Sequence, residues 1–416
     1  VIIFQKFFIF GPLSKFNNTY KMNRTGFTKV LALLILVLAG CQQKEEPLRI
    51  FDRKYLKVIR DARQEAYFYQ VRNFMPGSSV AVSIDGRLVW SEGFGQASAE
   101  LEVPATRHTK YRMGQITQVI TALAYYRMVE EGLVNPDDDI RKLLPAFPEK
   151  KYTLKLQNLV DQTSGIRPPS TEELFWRGLN VPMEQALENF WNDTLLFQPG
   201  MYQYPTLYSY NLLGTALTKA AGKNFSLLVS EWVTDTLDMK NTVPDNPLVT
   251  VKGRSDFFDR NLVAQTINAV TLDLRYRLPS DGYLSTAEDL VKLGNALLSS
   301  PLLSDSVRHR MLTPPLINNE MKANQGNGLL FFKDAEGKLI YASKGNVTGS
   351  GALLLIFPDE KMVVACMSNL SDEGEELPGL KIADMFRDFL TGNYGKAAET
   401  VKETDQQENK DPGKAE

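Results

Sequence analysis

Between Ser79 and Phe94 apolar and polar residues alternate, and the alternation turns about Asp85-Gly86. A period of two is the mark of a strand, and Asp-Gly between two such runs is a tight hairpin turn. A lone hairpin is marginal in water, so these two strands need others to complete them. The remaining strand-like runs lie near the opposite end of the chain, at Gly328–Lys333, Lys338–Ser343, Ala352–Phe357 and Met362–Met367. What lies between is helical in pattern. Leu56 to Met75 is an amphipathic helix ahead of the hairpin. Over 115–131, Ile116, Ile120, Leu123, Ala124, Met128 and Val129 form one apolar face. Asn135-Pro136 breaks that helix, residues from about 140 to 300 are mainly helical with long loops, and a helix over Leu380–Leu390 closes the domain. The expected fold is therefore of the α+β or α/β class. Its antiparallel sheet is built from both chain ends and flanked by helices, and a mainly helical lobe, about 110–300, is inserted in a domain spanning 54–394. With 43% hydrophobic residues the chain can bury a core of that size.

The first forty residues read as an address. Arg24 and Lys29 precede an unbroken apolar run from Val30 to Leu38, which ends in Ala39-Gly40-Cys41. The run is shorter than the roughly 20 residues a membrane-spanning helix needs. Leu38-Ala39-Gly40-Cys41 resembles the lipobox of bacterial lipoproteins. That resemblance implies that Cys41 is acylated and begins the mature chain, with Met22 as the start and residues 1–21 as upstream sequence. The alternative is a short anchor with a chance cysteine. Residues 41–53 have linker composition, and Lys44-Glu45-Glu46 resembles the export signal of surface lipoproteins. Residues 395–416 are charged and nearly free of large apolar side chains, as in a disordered tail. The expected location is the bacterial cell envelope, on a membrane held through Cys41, facing the periplasm or the outside.

Two cysteines, Cys41 and Cys366, give no disulfide framework, and His108 and His309 are too far apart for ligand spacing. No metal and no cofactor is expected. A net charge of −2 argues against a nucleic-acid partner. Cys366 sits in an apolar strand and reads as a core residue.

Several segments recur in a telling order: residues 79–98; Met128-Val-Glu-Glu-Gly-Leu followed by Leu143-Leu-Pro-Ala-Phe-Pro; Leu159 to Gly165, ending in Thr163-Ser164-Gly165; Asn211-Leu-Leu-Gly; Leu237-Asp-Met-Lys-Asn-Thr; and Leu284-Ser-Thr-Ala-Glu-Asp-Leu. Together they resemble the serine β-lactamases of class C type, with their penicillin-binding, esterase, carboxypeptidase and mitochondrial β-lactamase-like relatives, over roughly residues 55–392. The resemblance implies three catalytic elements. The first is a serine at a helix start with a lysine one turn later, which together form an acyl-enzyme. Here, in Tyr111-Arg-Met-Gly-Gln-Ile-Thr-Gln, alignment on Arg112 and Thr121-Ala122 places Gln115 at the serine and Gln118 at the lysine. A glutamine amide is neither nucleophile nor base near neutral pH. The second is a tyrosine loop between Pro199-Gly200 and Leu212-Leu213-Gly214. Its tyrosine position falls on Pro205 and its asparagine position on Leu207, although a one-residue shift would bring in Tyr204. The third is a cation-x-Gly edge strand, which reads Ser343-Lys344-Gly345, so that Ser343 takes the cation's place. Alternation aims Lys344 to the opposite face unless a bulge intervenes.

The family's oxyanion hole uses main-chain N–H groups, so the resemblance implies that Gln115 and Asn346 keep that capacity. Residues that would then touch a ligand are Gln115, Gln118, Tyr204, Tyr208, Ser343, Lys344 and Asn346. Thr117, about 200° around an ideal helix from Gln115, should face away. Ser164 reads as a structural loop residue, and the tyrosines at 202–210 read as packing or as a ligand platform. Three functions stay open. The favoured one is a catalytically silent envelope lipoprotein that binds a peptidoglycan-like peptide or another small ligand. The others are a serine hydrolase with a relocated nucleophile and a purely structural scaffold whose cleft is filled. Oligomeric state is not legible.

Overall fold

The computed structural model describes residues 47–175, 181–301, 303–318, 320–371 and 377–394. Contacts divide the chain between Pro47 and Leu48, and the sheet and its helices belong to the unit that starts at Leu48. The lipobox with Cys41, the Lys44-Glu45-Glu46 segment and the 395–416 tail lie outside the described residues.

The Asp85-Gly86 turn forms as its sequence dictates. Asp85 takes φ 52° and Gly86 φ 73°, the two left-handed residues of a type I′ turn that matches strand twist. It joins β2 (Gly77–Ile84) to β3 (Arg87–Ser98), and a short β1 (Ile50–Phe51) pairs with β3 on its outer side. The C-terminal strands are β4 (Gln325–Gly326), β5 (Leu329–Lys333), β6 (Leu339–Val347), β7 (Ser350–Phe357) and β8 (Met362–Ser368). They join the first group through an antiparallel seam in which Val82 of β2 faces Val364 of β8. The order is β1-β3-β2-β8-β7-β6-β5-β4, so one sheet is indeed built from both chain ends.

Both faces of its centre are covered, which is why β7 and β8 read as almost unbroken apolar runs. One face sends Val80, Val82, Leu353, Leu355 and Cys366 against α1 (Leu56–Arg72), through Val58, Ile59 and Ala62, and against the closing helix Gly379–Thr391, through Ile382 and Phe386. The alternate residues Ala352, Leu354, Ile356, Val363 and Ala365 face the inserted lobe. The lobe is organised around α2 (Thr117–Glu130), which is buried on nearly every side. A helix buried on nearly every side can only sit inside a larger core, and α3 (Leu207–Ala221) and the helix Asp305–Met311 pack against it.

Two departures from the sequence pattern have local causes. The helix expected from 115 begins as a 3₁₀ turn over Gly114–Ile116, because Gly114 adopts φ 52° and the α-helix starts only at Thr117. The lobe also holds a small sheet of Tyr111–Arg112, Tyr283–Ser285 and Val243–Pro244, too short for any period to reveal.

Candidate functional site

The site exists because two backbones come closer than side chains would permit. A Cβ on Gly345 of β6 would stand 2.0 Å from the carbonyl oxygen of Met113, and one on Gly114 would stand 2.8 Å from the nitrogen of Asn346. With glycine at both places, the turn before α2 lies directly against β6. Behind the turn, Arg112 is fixed by a buried ion pair with Asp245 at 2.7 Å, a bond to the carbonyl of Thr348 at 2.6 Å, and the face of Phe257, 3.9 Å from its ring centre.

This closeness decides what Gln115 does. The main-chain N–H of Asn346 donates to Oε1 of Gln115 at 2.7 Å. The Gln115 side chain thus occupies the Asn346 N–H, one of the two main-chain donors that the sequence led us to expect for a ligand carbonyl. Because a main-chain N–H only donates, the Gln115 oxygen is the bound end and its NH2 the other.

Gln118, one turn on, is almost wholly buried and accepts a hydrogen bond from Nε2 of Gln162 at 3.2 Å. Gln115, Gln118, Pro205, Leu207, Ser343, Lys344 and Asn346 all border one open cleft of about 570 Å³. A cleft of this size suits a small organic or peptide-sized ligand. Gly345 is not part of its lining and acts through the backbone approach just described.

The chemistry of the lining is narrow. Among the described residues Lys344 is the only ionisable residue of the lining, and the two hydroxyls of the lining are both committed. Ser343 donates to the carbonyl of Gly328 at 2.8 Å, and Thr206 donates to the carbonyl of Arg167 at 3.0 Å. No bulge interrupts the β6–β7 register from Tyr341 to Val347, so Lys344 shares a strand face with Ala342, which packs toward α1 and the closing helix. Thr117 is buried and does not border the cleft.

The tyrosines are placed elsewhere. Tyr204 stays substantially exposed and does not line the cleft, where Pro205 takes the position instead. Tyr208, named from sequence as a ligand contact, is turned into the lobe. Its ring stacks on Phe190 at 4.2 Å under the guanidinium of Arg167, and burial raises its hydroxyl pKa. Tyr208 opens the buried run of α3, which extends unbroken to Leu217. Ser164 bonds Ser209 at 2.7 Å in the core, and His309 is exposed on a surface helix.

Sequence reasoning missed Gln162, Gln325, Gly328 and the Pro168-Pro169 rim, all of which line the cleft. Gly328 could have been suspected from the Asn-Gly-rich run 324–328; its φ is 75°, and a Cβ there would meet the main chain of Val119 at 2.4 Å. Nothing local marks Gln162. Nearby, Asp161 accepts from Gln157 at 2.9 Å, and burial lifts its carboxyl pKa to about 7 against that bond. Among the described residues no His, Cys, Asp and Glu side chains gather into a metal-holding group.

Comparison with known proteins gives a consistent picture. A family model described as Beta-lactamase matches residues 62–385. The human serine beta-lactamase-like protein LACTB, mitochondrial, is 24% identical over 438 residues, covering 80% of each chain. Among solved structures, an octameric penicillin-binding protein homologue from Pyrococcus abyssi has a TM-score of 0.69 at 22% identity, over 81% of this chain and 78% of that one. A D-stereospecific amidohydrolase from Streptomyces has a TM-score of 0.65 at 22% identity, over 78% and 97%.

Proposed function

We propose, since this chain belongs to the beta-lactamase family, that it is a member without acyl-transfer chemistry, whose cleft binds a carbonyl-bearing ligand such as a cell-wall-type peptide or an acyl-amino-acid fragment. The observation that carries this reading is the pair Gln115 and Gln118 at the cleft floor, with the Gln115 oxygen seated on the Asn346 N–H. A hydrolase needs a nucleophile beside a base. The hydroxyls that line this cleft donate to main-chain carbonyls, and among the described residues no carboxylate or imidazole lines it. That weighs against a relocated nucleophile. The open volume of about 570 Å³ weighs against a cleft filled by its own side chains. The description of one structural neighbour as a D-stereospecific amidohydrolase supports an amide-type ligand.

The same reading places the protein in the cell envelope, held by a lipid on Cys41. No helix among the described residues is long and apolar enough to cross a membrane.

The test is intact mass after incubation with a penicillin and, separately, with a fluorophosphonate. The expected result is no adduct. A stoichiometric adduct would overturn the proposal, and peptide mapping would identify the hydroxyl that carries it.

A further inference from the structure

A chain of amides runs from the start of α3 to the cleft floor, and its direction is fixed at one end. The main-chain N–H of Thr206 donates to Oε1 of Gln162 at 2.9 Å. That N–H cannot accept, so the oxygen of Gln162 must face Thr206 and its NH2 must face the other way. The NH2 meets Oε1 of Gln118 at 3.2 Å, which fixes the second amide in turn. The NH2 of Gln118 is then the end left over. It has no acceptor among the described residues, it is not one of the buried orphaned atoms, and Gln118 lines the cleft. So the NH2 opens on the cleft.

Gln162 is held firmly for this task. It is 1% exposed, and its own carbonyl accepts the N–H of Tyr204 at 3.0 Å. It also adopts φ 60°, a left-handed conformation that costs a non-glycine residue energy and persists only where the surroundings enforce it. Gln115 follows the same logic, with its oxygen on the Asn346 N–H and its NH2 free of protein acceptors among the described residues.

We infer that Gln162 is a positioning residue that sets the polarity of the cleft floor. It holds Gln118 as an uncharged N–H donor, so the cleft selects a ligand carbonyl, of an amide or an ester, at that point and rejects a ligand N–H. This rests on the cleft binding a ligand, but not on the loss of hydrolysis. The selectivity is strong because a donor facing a donor in a buried site leaves both unpaired.

The test inverts the chain. In Gln162→Glu, studied at a pH high enough to ionise the buried carboxyl, the carboxylate still accepts from Thr206 but has no proton to give. Gln118 must then turn its NH2 toward the new carboxylate and present its oxygen to the cleft. Gln162→Met removes the amide without imposing the reverse orientation, and it serves as the second variant should the glutamate fold poorly. The full chain, labelled with 15N-glutamine, is followed by side-chain NH2 hydrogen exchange without ligand. Binding of N-acetyl-D-proline dimethylamide, which has carbonyls but no N–H, is followed by ligand-observed NMR.

In the native protein the Gln118 NH2 should exchange freely, the Gln162 NH2 should be protected, and the probe should bind. In Gln162→Glu the Gln118 NH2 should become protected and probe affinity should fall about tenfold or more, while Gln162→Met should lose only about two- to fivefold. A protected Gln118 NH2 in the native protein, or a Gln162→Glu variant that binds the probe as well as the native protein does, overturns the inference. The expected exchange pattern with no probe binding overturns instead the reading of the cleft as a ligand site, and its carbonyl selectivity with it. An adduct in the mass experiment would leave the exchange result standing.

Discussion

Gly345→Ala is the sharpest probe of how the site is built. Gly345 does not sit at positive φ, so an added methyl is penalised by contact alone. Its Cβ would stand 2.0 Å from the Met113 oxygen, 2.8 Å from the Met113 carbonyl carbon and 3.3 Å from the Gly114 Cα. All three are main-chain atoms, so no side chain can swing aside. Reaching even 3.0 Å from that oxygen requires about 1 Å of separation between β6 and the turn. The Asn346 N–H to Gln115 bond, now 2.7 Å, spans the same gap and would be stretched beyond useful length. Overpacking costs about 1–3 kcal/mol and the lost hydrogen bond about 1, giving roughly 2–4 kcal/mol together. Urea unfolding should show a lower midpoint with an unchanged slope. The control is Gly86→Ala, where φ is 73° but nothing lies within 4 Å of the Cβ position. Its cost is the left-handed backbone alone, about 1–2 kcal/mol. If Gly345→Ala costs no more than about 1 kcal/mol, the close approach is not what shapes the site, and the reasoning fails.

Two further outcomes are expected. Burial holds the Asp161 carboxyl at about 7, whereas an unfolded aspartate releases its proton near 3.8. The folded state therefore keeps a proton that the unfolded state has lost, so this group's contribution is full below about pH 4 and disappears as pH rises through about 7. Asp161→Asn should flatten the decline of Tm over that window, and an identical decline in both proteins would refute the assignment. Metabolic labelling with an alkynyl fatty acid should tag the native protein and not Cys41→Ser; equal labelling of both would remove the lipid anchor on Cys41 from the account.

The architecture was legible because burial imposes periods. The Asp85-Gly86 hairpin, the apolar runs of β7 and β8 and the helix bearing Ile120 and Leu123 each state their surroundings in their own sequence. The positions of Gln115, Gln118, Pro205 and Ser343 on one cleft could be expected because ordered landmarks on either side fix the register. Gln162 was not legible. Its role depends on contacts with Thr206 and Gln118, each 44 residues away in sequence, and no period or turn rule reaches so far. The packing of Tyr208 was not legible for a related reason. Nearness in sequence to Pro205 says nothing about which side of α3 a ring will take, and the stacking partner Phe190 comes from a separate segment.

The amide chain also bears on what a serine at 115 and a lysine at 118 would meet. A lysine at position 118 carries only donors. It would meet the NH2 of Gln162, and that group cannot turn away while the Thr206 N–H holds its oxygen. Two donors would then face each other between buried side chains, which costs more than the loss of a simple hydrogen bond. A serine at 115 would vacate the Asn346 N–H, yet the cleft beside it offers Pro205, which has no side-chain proton to give, and Ser343, which is tied to Gly328. The neighbours thus match neutral amides at 115 and 118. The cleft floor is wired for neutral amides, which is the physical ground for proposing that it binds a ligand.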